Sequence, residues 1–322
     1  MSRWWVPRVL VASLIAAVAG AQAPEPTVVA VMRSDGIVLP FARFDGRAWT
    51  AFPGDGAESA SRFPQTYELP STWRVHPVDG APARRVGAGS SVAFNTEGEN
   101  WYQTWGQITD YTPRRLPSED EPRAGRIGVA LSGTAMNASV TTFVRRGPRS
   151  AEWNGIRRVV THAFGRAEHD SLIQPSVVAN AAGWPRIRAV PDSAERAARP
   201  VALRSMFAAR PRVGGGRLYY VDAYKVYPAE RPDGGCPPAV YYQGWFRQAE
   251  LDGAPTLMGE VLTLGFGCDS PGAEPSTVVP FGAFTIGGRS FVVLERMYYE
   301  GGERDLLEVT RSGLRPALAS SR

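Results

Sequence analysis

Apolar and polar residues alternate in short runs along most of this chain, and turn residues punctuate the runs. Thr27 to Arg33 leads into Asp35-Gly36, Ile37 to Phe44 into Asp45-Gly46, and Arg47 to Phe52 into Asp55-Gly56. Runs of this length bounded by turn residues read as strands. Asp-Gly suits type I′ hairpin turns, which need positive φ at both central residues. Asp-Gly recurs at Asp79-Gly80, Asp233-Gly234 and Asp252-Gly253, and Gly-Gly at Gly287-Gly288 and Gly301-Gly302. The closing third reads as a meander with strands at Arg217 to Tyr227, Val240 to Gln248, Thr256 to Phe266, Thr277 to Thr285, Ser290 to Glu300 and Arg304 to Arg311. A further strand-like run is Ile127 to Leu131.

One stretch changes period. From Ser150 to Glu168 the apolar residues are Trp153, Ile156, Val160, Ala163, Phe164 and Ala167. Steps of three and four mark one face of a helix, and Ser150 after Gly147-Pro148 supplies an N-cap. Residues 181–217 then carry eight arginines against Asp192 and Glu195, and read as a basic connector with a short helix at Val201 to Ala209. The fold expected is mainly β: antiparallel sheets, as a sandwich or a propeller-like array, with one amphipathic helix near 150–168. The divisions expected are 1–21 as a leader, 22–145 as a β-rich region, 146–215 as the helical and basic connector, and 216–322 as the meander. The last is packed with the first β region as one domain.

The leader has its own pattern. Arg3 and Arg8 precede an apolar run from Val9 to Ala19, and the small residues Ala19-Gly20-Ala21 follow. A basic start, a short apolar stretch and an A-x-A site make a secretory signal peptide. The run is too short for the ~20 residues that span a bilayer as a helix. Cleavage is expected after Ala21, since the alternative site after Ala23 sets Pro24 beside the cut. The expected location is therefore periplasmic or extracellular, with no transmembrane anchor after cleavage. In an oxidising compartment the chain's two cysteines, Cys236 and Cys268, pair as a structural disulfide.

Composition refines this in two ways. The 34 glycines and 27 prolines favour many turns and disfavour a helical bundle. Of 36 basic residues only Lys225 is a lysine, which with abundant Ala, Gly and Pro resembles GC-rich bacterial codon usage. Arg3 and Arg8 leave with the leader, so the excess of base over acid falls from five to three, too little for a nucleic-acid partner.

Several chemistries lack their residues. Lys225 follows Ala-Tyr and not a glycine loop, which excludes a P-loop. Gly265-Phe266-Gly267 continues as Cys-Asp-Ser and not as a dinucleotide fingerprint, so no cofactor is expected. No G-x-S-x-G elbow occurs, and Ser132-Gly133 reads as a turn. The histidines are His76, His162 and His169. On a helix the last two stand ~10.5 Å apart, against the i, i+4 spacing of zincin ligands, so no metal site is expected. Glu119-Asp120-Glu121 between Pro117 and Pro122 reads as a solvated loop.

Aromatics offer the remaining candidates. In a strand, Trp101, Gln103, Trp105 and Gln107 share one face. Indoles cover sugar faces while amides bond hydroxyls, although tryptophans between sheets more commonly complete a core. Tyr219, Tyr220, Tyr224, Tyr227, Tyr241, Tyr242, Trp245, Tyr298 and Tyr299 form a second group, expected to pack around the disulfide. Two function classes follow. The leading expectation is a non-catalytic binding or scaffold module with a glycan or another envelope component as ligand. The alternative is a secreted hydrolase using a histidine with a carboxylate.

Overall fold

The computed structural model describes residues 27–52, 69–95, 103–111, 125–172, 193–209, 216–227, 238–250, 253–266, 276–298 and 301–318. Seven strands come first: β1 (Thr27–Arg33), β2 (Ile37–Phe44), β3 (Trp49–Ala51), β4 (Thr72–Pro77), β5 (Arg84–Asn95), β6 (Gln103–Thr109) and β7 (Arg126–Leu131). Six of them close into a barrel in the order β1-β2-β6-β5-β4-β7, each neighbour antiparallel, and β3 extends from β2. Closure satisfies backbone groups that an open sheet would leave at its edges. β1 is apolar on both faces because both are covered. Val28, Ala30 and Met32 join Val38, Trp73, Val75 and Ile127 in the barrel's own core, while Val29 and Val31 face a second core outside it.

That second core is shared with two five-stranded antiparallel sheets. After β8 (Val140–Thr142) and β9 (Val144–Arg145) come helix α1 (Ala151–Leu172), the short helix α2 (Ser193–Ala198), β10 (Ala202–Ala209), β11 (Arg217–Val226), β12 (Pro238–Gln248) and β13 (Thr256–Phe266). The chain closes with β14 (Thr277–Ile286), β15 (Arg289–Tyr298), β16 (Gly301–Val309) and β17 (Leu314–Pro316). The central sheet runs β13-β12-β11-β10-β9 and the C-terminal sheet β17-β16-β15-β14-β8. β8 and β9 are one extended segment divided between the two sheets. Phe143 lies at the division, fully buried, and its N–H donates to Phe281 O at 3.1 Å.

The mainly β, antiparallel character and the single long amphipathic helix agree with the sequence pattern. All six apolar residues of the period-3.6 face are buried, packed on Met206, Tyr219, Val221, Val240, Tyr242 and Phe246 of the central sheet. Ser150 caps the helix: its Oγ accepts from Trp153 N at 3.2 Å. Among the described residues no helix is long and apolar enough to cross a membrane.

Two local expectations need correction. Val201 to Ala209 is not a helix, since Ala202–Ala209 is β10. Met206 and Ala208 face α1 while Phe207 and Ala209 face the shared core, so both faces are apolar and the strand loses the alternation that would mark it. The hairpin turns also differ. No residue other than glycine has positive φ among the described residues, so Asp35-Gly36 is not a type I′ pair. Gly36 alone, at φ 86°, closes a three-residue loop, and Asp35 Oδ1 accepts from Ile37 N at 3.2 Å. Gly287-Gly288 does form the two-residue turn, with φ of 56° and 76°.

Candidate functional site

The first sequence candidates fall on β6 and its approach. Trp101 lies outside the described residues, and for Gln103 and Trp105 the backbone alone is described. Gln107 is buried, and its amide is fully engaged. Its Oε1 accepts from Trp73 Nε1 at 2.8 Å, and its Nε2 donates to Pro70 O at 3.0 Å. Cys236 and Cys268 also lie outside the described residues, as does the acidic run at 119–121.

The histidines are dispersed. His76 is buried on β4, and burial, reinforced by the nearby Arg74 charge, pushes its imidazole down to about 4. His162 and His169 are exposed on α1, and His169 Nδ1 meets the Arg196 guanidinium at 3.3 Å. Among the described residues no hydrogen bond or ion pair joins a histidine to a carboxylate. Nor do three or more His, Cys, Asp or Glu side chains gather there as metal ligands.

The densest buried polar chemistry lies on the two faces of β11. A strand alternates its side chains, so Lys225 shares the helix-facing side with Tyr219, Val221 and Ala223. Its Nζ lies 2.7 Å from Glu168 Oε2 and 3.1 Å from Arg196 O, beneath the Phe164 ring at 5.0 Å. The Tyr227 hydroxyl donates to the other Glu168 oxygen. Burial, and then the Glu168 carboxylate it bonds, raise the Tyr227 phenol above its ordinary range. This is a clamp: the buried Lys225–Glu168 pair, with Tyr227 on the carboxylate and Arg196 O on the ammonium, ties α1 and α2 to the sheet.

The opposite face of β11 carries three rows across the sheet, fixed by the antiparallel register. Phe207, Tyr220 and Trp245 make an aromatic row; Ser205, Asp222 and Gln243 make a polar one; Tyr224 and Tyr241 make a second aromatic one. Trp245 and Tyr220 have ring centroids 5.0 Å apart, and Tyr224 and Tyr241 stack at 6.1 Å. Arg204 is the extra residue of a bulge between Leu203 and Ser205. From there its guanidinium lies 3.6 Å from Asp222, over the Tyr241 ring, and donates to Thr277 Oγ1 at 3.2 Å. Gln243 Nε2 donates to Ser276 O at 2.6 Å. Asp222 is fully buried, whereas Ser205 Oγ and Tyr220 Oη are buried with no hydrogen-bond partner. Burial, and then the Asp222 charge, raise the Tyr220 phenol well above its usual range, so it is a neutral donor.

None of these polar residues stood out by motif. The signal available was local: after Arg217, RLYYVDAYKV places an acid and the chain's single lysine among aromatic and aliphatic residues, on opposite faces of the strand. The aromatic group divides likewise. Tyr219, Tyr227 and Tyr242 pack under the helix, while Tyr220 and Trp245 join the shared core. Comparison of the chain with protein-family models, with curated proteins and with solved structures finds no match.

Proposed function

We propose that this chain is an exported bacterial protein acting as a non-catalytic binding or scaffold module of the envelope, its ligand a glycan or another envelope component. The observation that carries the reading is the polar row Ser205–Asp222–Gln243 set between two aromatic rows on one sheet face. Aromatic faces cover the C–H side of a sugar ring while buried amide, carboxylate and hydroxyl groups bond its hydroxyls. Export is supported by Arg3 and Arg8 before the apolar run and by Ala19-Gly20-Ala21 after it. The rival hydrolase, built on His76, His162 or His169, has no specific observation in its favour.

The test is co-sedimentation. The processed protein, purified from the periplasm of a bacterial host, is mixed with isolated cell-wall sacculi and with outer-membrane vesicles, then pelleted. Saturable pelleting with either supports the reading. Retention in the supernatant with both removes it, and turnover of a chromogenic ester or glycoside by the pure protein moves the hydrolase ahead.

A further inference from the structure

The solvent side of α1 carries a pattern of its own. Ala151, Gly155, Arg158, His162, Gly165 and His169 follow in alternate steps of four and three, so they line one strip of the helix, opposite its buried face. All are exposed except Gly165, which is half-buried. A Cβ on Gly155 or Gly165 would meet nothing within 4 Å, so packing inside the fold requires glycine at neither position, and both weaken the helix relative to alanine. The strip is low at the two glycines and raised at the basic side chains between and beyond them.

Its charge is one-sided. Arg157 and Arg158 are exposed, and among the described residues no ion pair or side-chain hydrogen bond engages either. Arg166 is exposed and meets Glu260 only at 3.4 Å, a screened surface contact. Arg196 reaches His169 Nδ1 at 3.3 Å and carries the basic surface onto α2. The acids of α1 do not offset these charges. Glu168 is buried against Lys225, Glu152 is held by Arg146 at 3.3 Å, and Asp170 is exposed near the C-terminal end.

A partner for this surface must be anionic, and the neighbouring side chains narrow its kind. Among the described side chains of α1 no large apolar residue is exposed, so nothing would enter the acyl boundary of a membrane. No aromatic is exposed there either, so nucleic-acid bases would find no stacking platform. A second copy would set arginines against arginines. From Arg158 through His162 to Arg166 the helix advances ~12 Å, a narrow basic line that suits successive acidic groups of an extended chain. Guanidinium forks bind such oxyanions bidentately.

We infer that this side of α1 binds an acidic polysaccharide, whose oxyanion groups pair with Arg157, Arg158 and Arg166 while its chain lies along the strip lowered by Gly155 and Gly165. The inference rests on the binding reading above only for the envelope setting, and adds to it a second, cationic surface.

The experiment is calorimetric titration of the processed protein with polygalacturonate, with neutral dextran, with phosphatidylglycerol vesicles and with duplex DNA. Polygalacturonate should bind and dextran should not, and the affinity should fall as salt rises. Arg157→Gln/Arg158→Gln should weaken this binding about tenfold and flatten its salt dependence. The melting temperature should hold, since neither side chain has a partner to lose. Arg84→Gln/Arg85→Gln makes the same change of net charge at two exposed positions of β5, on the barrel, and should leave binding as it was. Equal effects of the two double variants overturn the site. Tighter binding to vesicles or to DNA overturns the choice of partner, and dextran binding as tight as polygalacturonate overturns the charge argument. Absence of polygalacturonate binding overturns the inference. Co-sedimentation of the Arg157→Gln/Arg158→Gln protein with sacculi and vesicles then decides the broader reading separately.

Discussion

Lys225 takes a charged ammonium group to a place where water does not follow, with a side chain 6% exposed. A buried ion pair is weak evidence of net stabilisation, because desolvation offsets the attraction, but removing one partner strands the other. Lys225→Met should therefore lower the unfolding free energy by roughly 3–5 kcal/mol, measured by urea titration. The double variant Lys225→Met/Glu168→Leu should recover most of that loss. Equal stability of single and double variants would show that the clamp does not act as a closed pair. His76 gives a pH signature instead. Its folded-state value of about 4 is below the ordinary 6.5, so the folded protein binds fewer protons than the unfolded chain in that window. The associated stability is complete above pH 6.5 and declines as pH falls from 6.5 to 4. Between pH 7 and 5 this amounts to about 1–2 kcal/mol, which His76→Gln should remove. An unchanged pH dependence in that variant would mean that another group titrates.

At the scale of elements, much of the fold was legible, and what was missed has a physical reason. β1 and β2 match the sequence reading to the residue, and β13 does too, because their apolar runs end at turn residues or at Phe266-Gly267. The helix was visible because one face meets a sheet and the other meets water. β10 was not, because a strand covered on both faces shows no period of two, and Ala, Leu, Met and Arg are good helix formers that tertiary packing overrides. β8 and β9, three and two residues long, are too short to carry a pattern. The site was hidden for a related reason: Ser205, Asp222 and Gln243 lie far apart in sequence, and register alone aligns them. The cysteines lie beyond the described ends of β12 and β13, so their pairing rests on the sequence: there are two in the chain, and an oxidising compartment pairs them. Cys236–Cys268 should form on export. Peptide mapping without reductant should recover the two cysteines in one linked peptide, whereas two free thiols by alkylation would refute the bridge.

On the scale of the whole molecule, the shared core decides how the parts behave together. It takes Val29 and Val31 from β1, Val129 and Leu131 from β7, Phe207 and Tyr220 from the central sheet, and Phe281, Phe284 and Phe291 from the C-terminal sheet. Arg126 at the start of β7 bonds Glu295 of β15 at 3.1 Å, a partly buried link between barrel and C-terminal sheet. Layers joined through one core cannot separate without exposing each other's apolar surface, so barrel and sheets should unfold in one transition. Phe143 is the most direct test. It is fully buried where the chain passes from β8 to β9, its ring meets Trp245 edge-on at 5.9 Å, and it adjoins both sheets at once. Phe143→Ala should cost about 3–5 kcal/mol, the range for removing a buried aromatic and leaving a cavity. If the layers are one cooperative unit, the loss moves the far-ultraviolet and tryptophan-fluorescence transitions together. Should the barrel be independent, the variant would split them. Trp73 fluorescence inside the barrel would hold its wild-type midpoint while the sheet signal melts early, and the shared core would then be an interface between separately folding parts.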